Sequence, residues 1–140
     1  MAATAGYSGT PLAKKLGIGA GTRVLLMHAP GDYQSLLAQL PTGVVFAKKL
    51  TAATQVVHLF AERAAALRKE LATLRQHMPV DAAIWVSWPK RASQRPTDIT
   101  EDVIRSIALP LGLVDIKVCA VSEVWSGLKL MLRKELRQEH

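Results

Sequence analysis

Cysteine occurs once among the 140 residues, as Cys119, which excludes a disulfide scaffold and a cysteine-rich zinc site. No apolar run approaches the roughly 18 residues needed to cross a bilayer. RVLLMHAP and AAIWVSW are only strand-sized, so no membrane association is expected. Acids are in short supply: 11 Asp and Glu face 18 Lys and Arg, a net charge of +7. The opening MAATAGYSGTPLAKK lacks a charged stretch followed by an apolar run, so it does not read as a secretory signal. With a lone Cys119 in an apolar run, a cytoplasmic location is expected. Internal repeats and low-complexity segments are absent as well.

Hydrophobic residues make up 49% of the chain, enough for a core and too many for intrinsic disorder. The length suits one domain, placed at 11–134 between a flexible start (1–10) and a charged tail (135–140). Periodicity alternates between strand and helix. Arg23–Ala29 is a continuous apolar run, as in a strand covered on both faces. Asp32–Leu40 reads as a short helix, followed by strands at Gly43–Ala47 and Gln55–Phe60. In Ala61–Met78, Leu67, Leu71, Leu74 and Met78 recur at helical spacing, with Glu62, Arg63, Lys69, Glu70 and Arg75 largely outside the stripe. Ala82–Trp88 is a further buried strand, and PKRASQRP a Pro-bounded loop. Asp98 with Glu101 resembles a capping box for a helix whose inner face carries Val103, Ile104, Ile107 and Leu111. Pro110 and Gly112 end it. Val114–Val121 and Gly127–Arg133, joined through SEVWS, suit an antiparallel pair. The expected fold is a three-layer Rossmann-like α/β sandwich, mostly parallel, with a C-terminal antiparallel hairpin.

The opening LGIGAGTRVLLMHAP and the ending GLVDIKVCAVSEVWSGLKLMLRK resemble the first strand and closing hairpin of Rossmann-like S-adenosylmethionine-dependent methyltransferases. The chain is about one strand–helix unit shorter than that pattern. It also departs from it after the first strand. A glycine-rich turn would there let backbone approach the cofactor, but this chain reads His28-Ala29-Pro30-Gly31-Asp32-Tyr33. At the end of the second strand, Ala47-Lys48-Lys49 stands where an acid would hold the ribose. No cofactor is expected, S-adenosylmethionine included. A nearer similarity lies in six strings in order: GYSGTPLAKKLGI, VVHLF, WVSWPK, TDITEDVIR, VDIKVCAV and WSGLKL. Together they resemble a small bacterial family known only as a domain of unknown function, which implies no activity.

In open parallel sheets ligands bind beyond the carboxyl ends of the strands. The first strand ends near His28 and Asp32, the third at Phe60 and Glu62, the fourth at Ser87 and Trp88. One crevice is therefore expected, lined by His28, Asp32, Tyr33, Ser87, Trp88, Lys90, Arg91 and Trp125. His28 suits either a general base or a strand-end hydrogen bond, and the second is favoured. His58, on the strand face shared by Val56 and Phe60, reads as a buried neutral histidine with a polar partner. No second ligand at metal spacing accompanies it, so no metal is expected. Ser87 lacks the Gly-x-Ser-x-Gly elbow of hydrolases. No catalytic residue is assigned. Trp88 and Trp125 suit either a stacking surface or core-edge packing.

The loop Lys90-Arg91-Ala92-Ser93-Gln94-Arg95 concentrates positive charge where phosphates dock in such folds. Asp98, Glu101 and Asp102 are alternative partners for it. The other basic pairs are scattered: Lys14 and Lys15, Lys48 and Lys49, Arg68 and Lys69, Arg133 and Lys134. No helix carries a basic face with interleaved aromatics, so nucleic-acid recognition by sequence is not expected. The leading functional expectation is a non-catalytic module binding a small, anionic ligand or an acidic protein partner. The alternatives are a divergent transferase of methyltransferase-like ancestry and a basic protein associating non-specifically with nucleic acid.

Overall fold

The computed structural model describes residues 10–37 and 39–137. Residues 1–9 of the expected flexible start and 138–140 of the expected tail lie outside the described residues. Six strands form one sheet: β1 (Arg23–Met27), β2 (Val45–Ala47), β3 (Val56–Phe60), β4 (Ala83–Pro89), β5 (Leu113–Ala120) and β6 (Trp125–Leu132). Their order is β2-β1-β3-β4-β6-β5. The first four run parallel, while β6 is antiparallel to both β4 and β5. The helices are α1 (Leu12–Lys15), α2 (Tyr33–Leu36), α3 (Ala64–His77), α4 (Glu101–Ala108) and α5 (Lys134–Arg137). None is long and apolar enough to cross a membrane.

Side chains alternate across a strand, and both faces of this sheet are covered. Every residue of β3 and β4 is therefore buried. On one face Val57, Leu59, Ile84, Val86 and Leu128 pack against Leu67, Leu71 and Leu74 of α3 and Ile104 and Ile107 of α4. On the other, Val24, Val56, Phe60 and Trp85 meet Leu12, Ala13 and Leu16 around α1 and Tyr33 of α2. Trp85 is wholly buried, and its indole N–H donates to the Leu16 carbonyl at 2.9 Å. That bond fixes the N-terminal turn against the sheet, an element with no counterpart in the sequence reading.

Several boundaries differ from expectation: β1 ends at Met27 rather than Ala29, α2 is the single turn Tyr33–Leu36 rather than Asp32–Leu40, and β2 begins at Val45 rather than Gly43. Three more differ for local reasons. α3 begins at Ala64 rather than Ala61, because the Ala61 N–H donates to the Ser87 carbonyl and prolongs the sheet ladder. β6 begins at Trp125, which pairs with Pro89 of β4, so the hairpin connection is shorter than SEVWS. The capping box at Asp98 is replaced by a division of labour. Thr100 is the N-cap of α4 and accepts from the Val103 N–H at 3.2 Å. Asp98 instead accepts from the Ala64 N–H at 2.7 Å, closing the first turn of α3. The end of α4 agrees with the reading: a 3₁₀ turn at Leu109–Leu111 leads into Gly112 at φ +88°.

From β1 the chain moves outward to β2, then returns to β3 on the other side of β1. The strand order thus reverses between β1 and β3. Beyond their carboxyl ends the two connections diverge and open a crevice.

Candidate functional site

His28 follows β1 directly and adopts a left-handed backbone, φ +58°. Few residues other than glycine take that conformation, although histidine is among the more tolerant. The turn aims its imidazole at α3, where Nε2 lies 2.5 Å from Glu70 Oε2. The imidazole remains 61% exposed. With Nε2 committed to the carboxylate, Nδ1 is the ring nitrogen that this contact does not use.

The two side chains stand over a cavity of about 320 Å³ at the crevice between β1 and β3. Phe60, Ala61, Glu62 and Arg63 close it along the end of β3, and Ala66 of α3 and Trp125 of β6 complete the wall. Glu62 is held by Arg95, whose Nε and Nη2 lie 3.0 and 2.9 Å from Oε2. The same guanidinium sits 5.1 Å from the centre of the Trp125 ring. Trp125 meets Phe60 edge-on at 5.0 Å. It is buried, with Arg95 over its ring, and lines the cavity wall.

Behind this wall lies a sealed polar layer. His58 is fully buried, with Nδ1 3.0 Å from the Tyr33 hydroxyl and Nε2 2.8 Å from Ser87 Oγ. Burial lowers the His58 pKa to about 3, and the ring is neutral at ordinary pH. Burial also pushes the Tyr33 phenol above its usual range. His58 is thus a buried neutral histidine with polar partners on both nitrogens.

The expected single crevice is divided. His28 and Trp125 border the cavity just described. Trp88 and Arg91 border a second one of about 460 Å³ beyond β4, together with Gln94, Arg95, Thr97 and Thr100. Tyr33 and Ser87 line neither, because both are buried around His58. Asp32 is exposed ahead of α2, without a capping bond to it. Lys90 is half-buried and borders neither cavity, while its N–H donates to the Val124 carbonyl at 2.7 Å. The acids read as partners for the basic loop are committed elsewhere. Asp98 caps α3, and Glu101 and Asp102 both pair with Arg105. The loop's carboxylate is Glu62, reached through Arg95.

Glu70 was the residue the sequence concealed. It lies 42 positions from His28, and on α3 it reads as one more charge outside the apolar stripe. Among the described residues no three His, Cys, Asp or Glu gather as a metal site would require.

The fold agrees with solved structures. A proposed type 11 methyltransferase from Sulfolobus solfataricus superposes with a TM-score of 0.60 at 10% identity, over 88% of this chain and 90% of that one. A pericyclic reaction enzyme gives 0.51 at 14% identity, over 89% of this chain. A LepI variant in complex with SAH and a substrate analogue gives 0.51 at 15%, over 87%. The chain spans 47% and 39% of those two proteins. The fold is Rossmann-like, of the methyltransferase type. No family model matches the chain, and no curated protein matches it in sequence.

That fold implies S-adenosylmethionine, and the residues present do not fit it in the usual mode. The turn after β1 carries a side chain at its left-handed position, His28, and Pro30 lacks a donor. Lys48 and Lys49 follow β2 where a ribose-binding carboxylate would be needed.

Proposed function

We propose that the protein is a small-molecule-binding module that takes its ligand in the cavity between the carboxyl ends of β1 and β3. The observation carrying this reading is the His28–Glu70 contact over that cavity. A left-handed non-glycine residue costs of order 1–3 kcal/mol and tends to persist where surrounding structure and function demand it. Here the turn delivers a largely exposed imidazole whose second nitrogen is not used by Glu70. The surroundings favour a compact ligand with a hydrogen-bonding group for His28 and an apolar edge for Phe60 and Trp125. Glu62 is paired with Arg95, Glu70 contacts His28 and Arg63 joins the wall, so the cavity carries both signs of charge and no concentrated positive field. An anionic ligand fits better beside Arg91 in the second cavity.

A second reading, a divergent transferase, rests on the same contact. A carboxylate that orients an imidazole raises its competence as a general base. The resemblance to a small bacterial family assigns no activity to either reading.

Both are tested by thermal-shift screening against S-adenosylmethionine, SAH, nucleotides and acyl cofactors, repeated with His28→Ala and Glu70→Gln. A shift lost in both variants supports binding at this cavity. A shift that survives both overturns it. Turnover of the bound compound would favour the transferase.

A further inference from the structure

Lysines far apart in sequence meet on one face of the sheet. Lys117 of β5 stands directly opposite Lys129 of β6, and Lys129 stands opposite Trp85 of β4. The Lys117 ammonium lies 5.9 Å from the centre of the Trp85 ring. The Trp85 indole is bound to the Leu16 carbonyl, which follows Lys15 at the end of α1. Two positions beyond Lys117, the Cys119 thiol is pushed up by burial and drawn down by Lys15, Lys117 and Lys90 together. The Lys129 ammonium is pushed below its ordinary value by burial and by Lys117. Lys117 and Lys129 therefore stand side by side on the α1 side of the sheet, and Lys15 and Lys90 act on the same thiol.

Like charges directly opposite each other destabilise an antiparallel pair. Among the described residues no ion pair uses Lys90, Lys117 or Lys129. The carboxylate of Asp115, two positions before Lys117, is turned the other way and binds Arg105 of α4 at 3.0 Å, across the opposite face of the sheet. Two cations held opposite each other, with no carboxylate among the described residues paired to either, mark a site completed from outside.

We propose that this face docks the phosphate backbone of duplex nucleic acid, without regard to base sequence. Lysine ammoniums are point charges suited to phosphates and lack the fork that reads base edges. No aromatic ring is exposed here for unpaired bases to stack on, since Trp85 is wholly buried. Val118, half exposed, alternates with Lys117 and Cys119 and lies on the other face, so it offers this one no apolar anchor. This surface is independent of the His28 cavity.

The test is fluorescence anisotropy with a labelled DNA duplex of about 20 base pairs, between roughly 50 and 200 mM salt. Replacing Lys117 and Lys129 together by Gln is expected to weaken binding about tenfold. It should also lower the salt slope by about two. Replacing Lys48 and Lys49 by Gln removes equal charge at the opposite edge of the sheet and is expected to change affinity less than about threefold. Equal loss in both pairs, no binding at low salt, or tighter binding of single-stranded DNA or polyglutamate would overturn the proposal. Lys129→Glu separates folding from docking: opposite charges across the strands should raise Tm while binding weakens. Unchanged binding in that variant would likewise overturn it.

Discussion

The hydroxyl of Tyr33 lies 3.0 Å from Nδ1 of His58, with both side chains buried. This contact ties α2, a single turn, to the central strand β3. So short a helix has no stability of its own in water. Its place is set by Tyr33, which also meets Phe46 and Phe60 edge-on. The turn bearing His28 precedes α2 directly, so the buried layer also steadies the rim of the cavity.

Tyr33→Phe keeps the packing and strips one partner from a buried ring nitrogen. The expected cost is about 1–3 kcal/mol in urea denaturation, and Ser87→Ala should cost a similar amount. Because both act through His58, their costs should not add. Additive losses would show that the three groups do not act as one unit.

His58 makes stability depend on pH in a defined window. Its folded pKa, about 3, lies below the ordinary 6.5 of an unfolded histidine, so the unfolded chain takes up the proton first. This contribution is complete above pH 6.5 and declines as pH falls toward 3. The limiting slope is about 1.4 kcal/mol per pH unit. Denaturation between pH 6.5 and 4.5, before most carboxylates titrate, should show the decline. His58→Gln should flatten it, and an unchanged slope in that variant would contradict the assignment.

His28→Gly and His28→Ala both remove the imidazole, yet they should differ in stability. Glycine accepts φ +58° without strain, whereas alanine keeps the left-handed penalty. The glycine variant should be the more stable by about 1 kcal/mol. Equal unfolding midpoints would mean that the turn relaxes when histidine is lost.

Asp98→Ala and Thr100→Ala remove caps from different helices, α3 and α4. Each should cost about 1 kcal/mol. They cap separate helices, so their effects should combine nearly additively in thermal unfolding.

The strands were legible because β1, β3 and β4 are largely apolar runs, the last two buried throughout. α3 was legible because Leu67, Leu71 and Leu74 repeat at helical spacing. Reading failed where a long-range partner overrode local preference. Ala61 joins the sheet through Ser87, Asp98 leaves its own helix to cap α3, and α1 is held by Trp85. For the cavity, His28 and Trp125 followed from the rule about strand ends. Glu70 did not, since only the packing of α3 over β1 brings it near. Tyr33 and Ser87 were expected to line the crevice but are buried around His58. Their direction, inward to His58, depends on a pairing of three elements that no local pattern encodes.

The outer strand β5 exposes half of the Val118 side chain and nearly half of Ile116, at 50% and 46%. An open apolar edge of that kind invites another chain to add itself as a further strand. The ladder shifts register between Asp115 and Lys117, leaving Ile116 as a bulge. An incoming strand can match the edge on one side of that bulge or the other, but not on both. Asp115 and Lys117 also set a charge on each flank. The same irregularity that brings Lys117 opposite Lys129 thereby guards the molecule against edge-to-edge aggregation.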